Sequence, residues 1–241
     1  IVVTGMGWVT PLGHELEAVW ERMLRGDSGI GPIERFDAST FPTTFAAQVQ
    51  QYDYRPWVRH PELHEGVGYN TAFALGAARQ AWSMAGLDAY DASGKLDHDG
   101  LGLYLGSGEG SLDFDRYVGC NLSGWDAEAG AGGAVDTAKW AAVALATMCP
   151  EREFEQEPNM PLSHLALEFE ARGPAYNCLT ACAASTQAIG EASETLRRGE
   201  AAVMLTGGAH TMIHPFGVTG FNRLTALSTR TEELTTASRP F

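Results

Sequence analysis

Apolar residues recur at helical spacing over Leu16, Val19, Trp20, Met23 and Leu24 and stop at Gly26. That pattern predicts an amphipathic helix whose apolar stripe packs on a sheet and belongs to the core. Across residues 67–85 small and apolar side chains fill the helical pattern almost all round, which predicts a helix buried between layers and ended by Gly86. Residues 1–4 and 101–105 are short β-branched or wholly apolar runs that open into glycines, and each predicts a strand. Shorter strands are expected over 45–49, 175–179 and 202–205, and helices over 137–148, 161–171 and from Ala183 to a stop at Gly199. The intervening stretches read as loops: 29–42; 50–66, a polar and aromatic surface excursion with two prolines; 88–100, acidic and turn-rich; 111–133, with a short helix; and 151–158, charged and exposed. Strand, helix and parallel strand in that order form a right-handed crossover unit. The expected class is therefore α/β, with a sheet covered on both faces.

Composition narrows the setting. A chain of 241 residues with 44% hydrophobic content can bury a full core as one large domain or two small ones. Its formal net charge of −14, with only 16 Lys and Arg spread along it, excludes a nucleic-acid surface built on clustered cations. The longest uncharged apolar run, residues 140–149, is about half of the roughly 20 residues a membrane span needs. Residues at the start lack the basic and apolar regions of a signal peptide, so a cytoplasmic protein is expected, although Ile1 is not an initiator Met. Cys120, Cys149, Cys178 and Cys182 are too few and too irregular for a disulfide framework, and free thiols are expected.

Candidate chemistry centres on Gly173 to Gly190, where a short strand turns into a helix of small residues with Cys182 at the turn. A thiol there faces the unpaired N–H groups of a helix N-terminus, which favour a thiolate and so a nucleophile. The same residue type is also among the most often buried, and packing is the other reading. Gly5-Met6-Gly7 after the first strand superficially suggests a dinucleotide fingerprint, but Thr10-Pro11 falls where the third glycine and the continuing helix should be. His60 with His64, His210 with His214 and Cys178 with Cys182 share a four-residue spacing. No Glu follows the first His of either pair and the cysteines straddle a turn, so no metal is expected and the histidines are read as surface or loop residues.

Thr180-Ala181-Cys182-Ala183-Ala184-Ser185 resembles the nucleophile motif of the β-ketoacyl-acyl carrier protein synthases, the condensing enzymes of fatty-acid and polyketide synthesis. Other stretches agree in the same order. Val2-Val3-Thr4-Gly5-Met6-Gly7 with Thr10-Pro11-Leu12-Gly13 resembles the family's opening strand and turn, and Gly106-Ser107-Gly108-Glu109-Gly110 its central glycine loop. Asn159-Met160, His164-Leu165 and Arg172-Gly173-Pro174 resemble the approach to the nucleophile. Thr206-Gly207-Gly208-Ala209, Leu224-Thr225-Ala226-Leu227-Ser228-Thr229 and Ser238-Arg239-Pro240-Phe241 resemble the stretches after it.

The resemblance implies the thiolase-like fold, in which each of two similar halves is a mixed five-stranded sheet between helical layers, with residues 1–241 as the N-terminal half and the C-terminal half absent. It implies an acyltransferase: Cys182 takes an acyl group from a carrier thioester, and a decarboxylated malonyl unit attacks that acyl-enzyme. Acyl carrier protein, acyl and malonyl thioesters and a homodimer are the implied partners, with no cofactor. Gly108, Glu109, Thr180, Ala181 and His210 are the near-site candidates it points to. Glu109 stands where the resembling enzymes usually carry an apolar residue at the end of the acyl pocket, and His210 stands where they often carry an acid. Two histidines that serve decarboxylation lie in the family's other half. His164 is expected to be structural. The rival readings are a non-catalytic partner subunit resembling chain-length factors, against which Cys182 counts, and thiolase-type chemistry on coenzyme A esters.

Overall fold

The computed structural model describes residues 1–110, 112–129 and 132–239. Its elements in chain order are α1 (Leu16–Arg25), β1 (Ile30–Pro32), β2 (Phe45–Ala47), α2 (Tyr69–Met84), α3 (Leu87–Ala92), β3 (Leu101–Gly106) and α4 (Phe114–Gly124). There follow β4 (Trp125–Asp126), β5 (Ala134–Val135), α5 (Thr137–Thr147), α6 (Pro150–Phe154), α7 (Met160–Glu168), β6 (Ala175–Cys178), α8 (Ala184–Arg197), β7 (Val203–Gly208) and α9 (Pro215–Arg223).

The central sheet has the order β6-β3-β7, and both outer strands run parallel to β3. Side chains alternate across a strand, and β3 uses both faces. Leu101, Leu103 and Leu105 join a core with Ala74, Leu75, Ala78 and Trp82 of α2 and Leu162 and Leu165 of α7. Trp82 lies against Phe169, ring centroids 4.6 Å apart. Tyr104, pointing the other way, packs against Cys178 and against Ala184 and Ala188 of α8. Alanines at 184, 188 and 192 are buried, and their four-residue spacing lets the α8 backbone approach the sheet closely. Helices thus cover both faces of a parallel sheet, as the sequence pattern implies.

The departures are local. Among the described residues the central sheet has three strands rather than five, and β1-β2 and β4-β5 are separate antiparallel pairs. Residues 1–7 are no strand: Gly5 and Gly7 press against the Ala81 and Ala77 carbonyls of α2, and a cavity of about 420 Å³ lies between this segment and β7. Helix α1 forms where predicted and ends with Gly26 at φ 74°, but of its apolar stripe only Val19 is buried; Trp20, Met23 and Leu24 are exposed and are not core. Helix α5 likewise leaves Leu145 exposed. Residues 29–42 contain β1, and residues 88–100 include most of α3.

The stretch 50–66 is not wholly a surface excursion, because His64 is completely buried. Its Nδ1 shares a hydrogen bond of 2.8 Å with Nδ1 of His164, and its Nε2 lies 3.1 Å from Glu168. Nε2 of His164 in turn lies 3.0 Å from Glu155. The Arg59 backbone N–H donates to the other Glu168 oxygen at 2.8 Å, and the Tyr54 hydroxyl donates to the His64 carbonyl at 2.5 Å. His164 is therefore structural, as expected, while His64 corrects the reading of the four-spaced histidines as surface groups.

Candidate active site

Three chain turns meet at one end of the sheet. Strand β6 leaves Cys178, passes through Thr180 and Ala181, and enters a 3-10 turn over Ala181–Ala183 that runs into α8. Ala181 holds φ at +50°, a region costly for a residue with a Cβ. The sharp reversal lifts Cys182 out of the packing, and it is the exposed thiol among four free cysteines; Cys120 and Cys178 are buried. The packing reading therefore fits Cys178, whose thiol donates to the Ala184 carbonyl at 3.2 Å, and not Cys182.

Strands β3 and β7 end beside this turn without side chains in the way. A Cβ on Gly106 would stand 2.4 Å from the Ala184 carbonyl carbon, and one on Gly208 would stand 2.8 Å from the Gly106 oxygen. The loops that leave these strands form the walls of a cleft of about 560 Å³. Gly108 and Glu109 of the first loop, His210 of the second, and Ala181 and Cys182 of the turn all line it. Thr180 lies just behind, its carbonyl accepting from the Ala183 N–H at 3.1 Å, and does not line the cleft. Five of the six residues singled out from sequence are thus brought together. A larger cavity of about 710 Å³ between β1, β2 and the loop after α9 shares Met212 and Phe221 with the cleft, but no cysteine is among its lining residues. Ser238 and Arg239 line it, while Pro240 and Phe241 of the same motif lie outside the described residues.

The cleft's electrostatics come from a few groups. Glu109 Oε2 is 3.6 Å from His210 Nε2, with the Glu109 side chain 79% exposed, so its charge stays in water. His210 lies over Gly108, where a Cβ would come within 2.6 Å of the ring. His214 accepts from the Gly217 N–H at 3.2 Å and so caps α9. Burial holds it below the usual imidazole range, against the pull of the Glu109 carboxylate, with His210 adding to the depression.

Two residues that support the site were not singled out from sequence. Ser107 donates to the Pro158 carbonyl at 2.6 Å and contacts the Asn177 side-chain amide at 2.5 Å, tying the glycine loop to the chain before α7. Asn70 of α2 donates from Nδ2 to the Glu109 carbonyl and accepts at Oδ1 from the Thr211 N–H, both at 2.8 Å. An amide among small and apolar residues in the first turn of α2 was the signal that could have singled it out. Among the described residues no group of three or more His, Cys, Asp or Glu side chains is placed to hold a metal ion.

An exposed thiol at a strained strand-to-helix turn is set in a cleft between the ends of parallel strands, in a protein of the α/β class. The family model for the β-ketoacyl synthase N-terminal domain matches residues 1–241, and the chain belongs to that family. It is 30% identical over 241 residues to 3-oxoacyl-[acyl-carrier-protein] synthase 2 of Coxiella burnetii, covering 100% of this chain and 53% of that protein. It is 33% identical over 245 residues to the chloroplastic 3-oxoacyl-[acyl-carrier-protein] synthase I of Hordeum vulgare, covering 100% of this chain and 48% of the relative. A crystal structure of a β-ketoacyl synthase from Burkholderia phymatum superposes with a TM-score of 0.77 at 26% identity, over 100% of this chain and 53% of that one. The fold is thiolase-like, and the chain spans about half the length of the relatives it matches.

Proposed function

We propose that residues 1–241 form the nucleophile-bearing half of a β-ketoacyl-acyl carrier protein synthase and that Cys182 is its acylated residue. The observation that carries this is the exposure of Cys182 in the cleft walled by the glycine loop and the His210 loop. The Cys182 thiol gives up its proton as its sulfur attacks the carbonyl of an acyl thioester; the new carbon–sulfur bond forms as the bond to the carrier breaks, and the departing carrier thiolate takes up that proton. A malonyl thioester then loses carbon dioxide, and the resulting carbanion attacks the acyl-enzyme carbonyl, returning the electron pair to the Cys182 sulfur. Gly108, Glu109, Ala181 and His210 shape the space around the acyl group, while Thr180 fixes the turn.

The complete enzyme in this reading needs a second half, which brings the histidines for decarboxylation, and residues 1–241 alone do not condense substrates. Exposed Val2, Val3, Trp20, Met23, Leu24 and Ile189 support that reading, because a protein of this size seldom leaves so many large apolar side chains in water. It is a cytoplasmic homodimer that works with an acyl carrier protein. No helix among the described residues is long and apolar enough to cross a membrane. Four cations expected to meet an acidic carrier are held by carboxylates: Arg55 by Asp53 at 2.8 Å, Arg59 by Asp91 at 2.9 Å, Arg116 by Asp113 at 2.9 Å and Lys139 by Asp136 at 3.7 Å. Carrier binding through this half is therefore weak and salt-sensitive.

The test is single-turnover acylation of the full-length protein by an acyl thioester, followed by peptide mass mapping and by condensation with malonyl-carrier. The expected adduct is on Cys182, and Cys182→Ala removes both adduct and product while leaving the fold in place. An adduct elsewhere, or product from the Cys182→Ala protein, would overturn the assignment.

A further inference from the structure

The β3-β7 ladder stops at the pair Gly106 and Gly208, yet the cleft is built from the residues beyond it. Among the described residues no backbone hydrogen bond joins residues 107–110 directly to residues 209–213. What spans the gap is the Asn70 side chain, reaching from α2 to the Glu109 carbonyl on one side and the Thr211 N–H on the other. These partners lie 39 and 141 residues away in sequence, so the contact exists only in the assembled fold. Asn70 is 3% exposed and sits beside buried Thr71, Ala72 and Phe73. An amide buried there is unfavourable unless both its ends are bonded, and both are.

We propose that Asn70 is a positioning residue that fixes the separation of the two loops over Cys182, and thereby selects the length of acyl group the thiol accepts. The proposal rests on the acyl-transfer reading above and deepens it. Asn suits the task because it offers a donor to a carbonyl and an acceptor to an N–H at once. Alanine offers neither, and aspartate keeps only the acceptor. The two loops also meet where the His210 ring lies against the Gly108 backbone, so a change in their spacing moves the walls of the cleft directly.

The experiment uses the full-length protein as wild type, Asn70→Ala and Asn70→Asp, with butyryl- and dodecanoyl-pantetheine as acyl donors. Three quantities are read: hydrogen exchange at the Thr211 amide, the melting temperature, and the acylation rate of Cys182 with each donor. In Asn70→Ala, Thr211 is expected to exchange at least about tenfold faster, and butyryl transfer to fall about tenfold while dodecanoyl transfer falls less than about threefold. Asn70→Asp is expected to keep Thr211 protected and to show a smaller change in the ratio of the two rates; should the alanine variant not fold, this ratio decides. A lower melting temperature with an unchanged ratio would overturn the proposal, reducing Asn70 to a stabilising contact. Unchanged Thr211 exchange in Asn70→Ala would overturn it as well. A wild type that takes no acyl group overturns the acyl-transfer reading and this proposal together, whereas an active wild type with variants of unaltered ratio overturns this proposal alone.

Discussion

Gly106 ends β3 where the strand meets the first residues of α8, and it offers a sharp perturbation of the site. A Cβ there would stand 2.4 Å from the carbonyl carbon of Ala184 and 2.5 Å from the backbone nitrogen of Ser185. Carbon atoms rest about 3.5 Å apart or more, so Gly106→Ala must force strand and helix apart by about 1 Å. Both obstructing atoms are backbone, and neither can swing aside as a flexible side chain would. The overpacking is expected to cost about 1–3 kcal/mol of stability. Because Cys182 lies two residues before Ala184, the same shift carries the thiol with it, and a displacement of about 1 Å in a reacting group costs about a hundredfold in rate. The assay is single-turnover acylation of the full-length protein by mass spectrometry, with a thermal melt beside it. Gly119→Ala in α4 is the control, since a Cβ there meets nothing within 4 Å. It should gain about 0.5–1 kcal/mol and acylate as wild type does. A folded Gly106→Ala protein that acylates within about threefold of wild type would refute the claim that the end of β3 places the thiol.

Three further outcomes are expected. Limiting iodoacetamide should label Cys182 before the other thiols, because Cys120 and Cys178 are buried and the Cys149 thiol donates to Glu151 at 2.9 Å; earlier labelling of Cys149 would remove the argument. Short acyl donors should load onto Cys182 faster than long ones, with Glu109→Ile narrowing the gap, and equal loading on the wild type would place the Glu109 carboxylate outside the acyl path. His214 takes up its proton at lower pH in the folded protein than its ordinary 6.5, so the stability of its cap is present above that value and is lost as pH falls through the depressed one. Melting temperature should consequently drop more steeply between pH 8 and 5 in the wild type than in His214→Asn, which keeps a cap but cannot titrate; parallel slopes would show that His214 does not report on α9.

What could be read in advance follows the range of the forces involved. Glycine punctuation and local periodicity placed α1, α2, β3 and the β6 turn to within a few residues, because those signals sit in neighbouring positions. Periodicity named the apolar face of α1 but not what covers it, and Trp20, Met23 and Leu24 remain exposed. The site emerged by another route: the strand-to-helix turn pointed to Cys182, the ordered resemblance added Gly108, Glu109, Ala181 and His210, and the structure brings them to one cleft. His64 was misread because its partners are 100 and 104 residues distant. Asn70 was overlooked for the same physical reason. Helix α9 went unassigned although His214 before Pro215 has the form of a cap followed by proline at the first helical position.

The buried chain Glu155–His164–His64–Glu168 has a consequence for inheritance. Three side-chain contacts link its four members in series, so each imidazole uses both ring nitrogens and each carboxylate holds one end. Replacing any one member leaves a buried donor, acceptor or charge without its counterpart, a loss of about 3–5 kcal/mol when an ion pair is broken in this way. Replacing all four by apolar residues of similar volume leaves no member without its partner. The four positions therefore form a single unit of variation, and the chain should drift past them only by changes that come together.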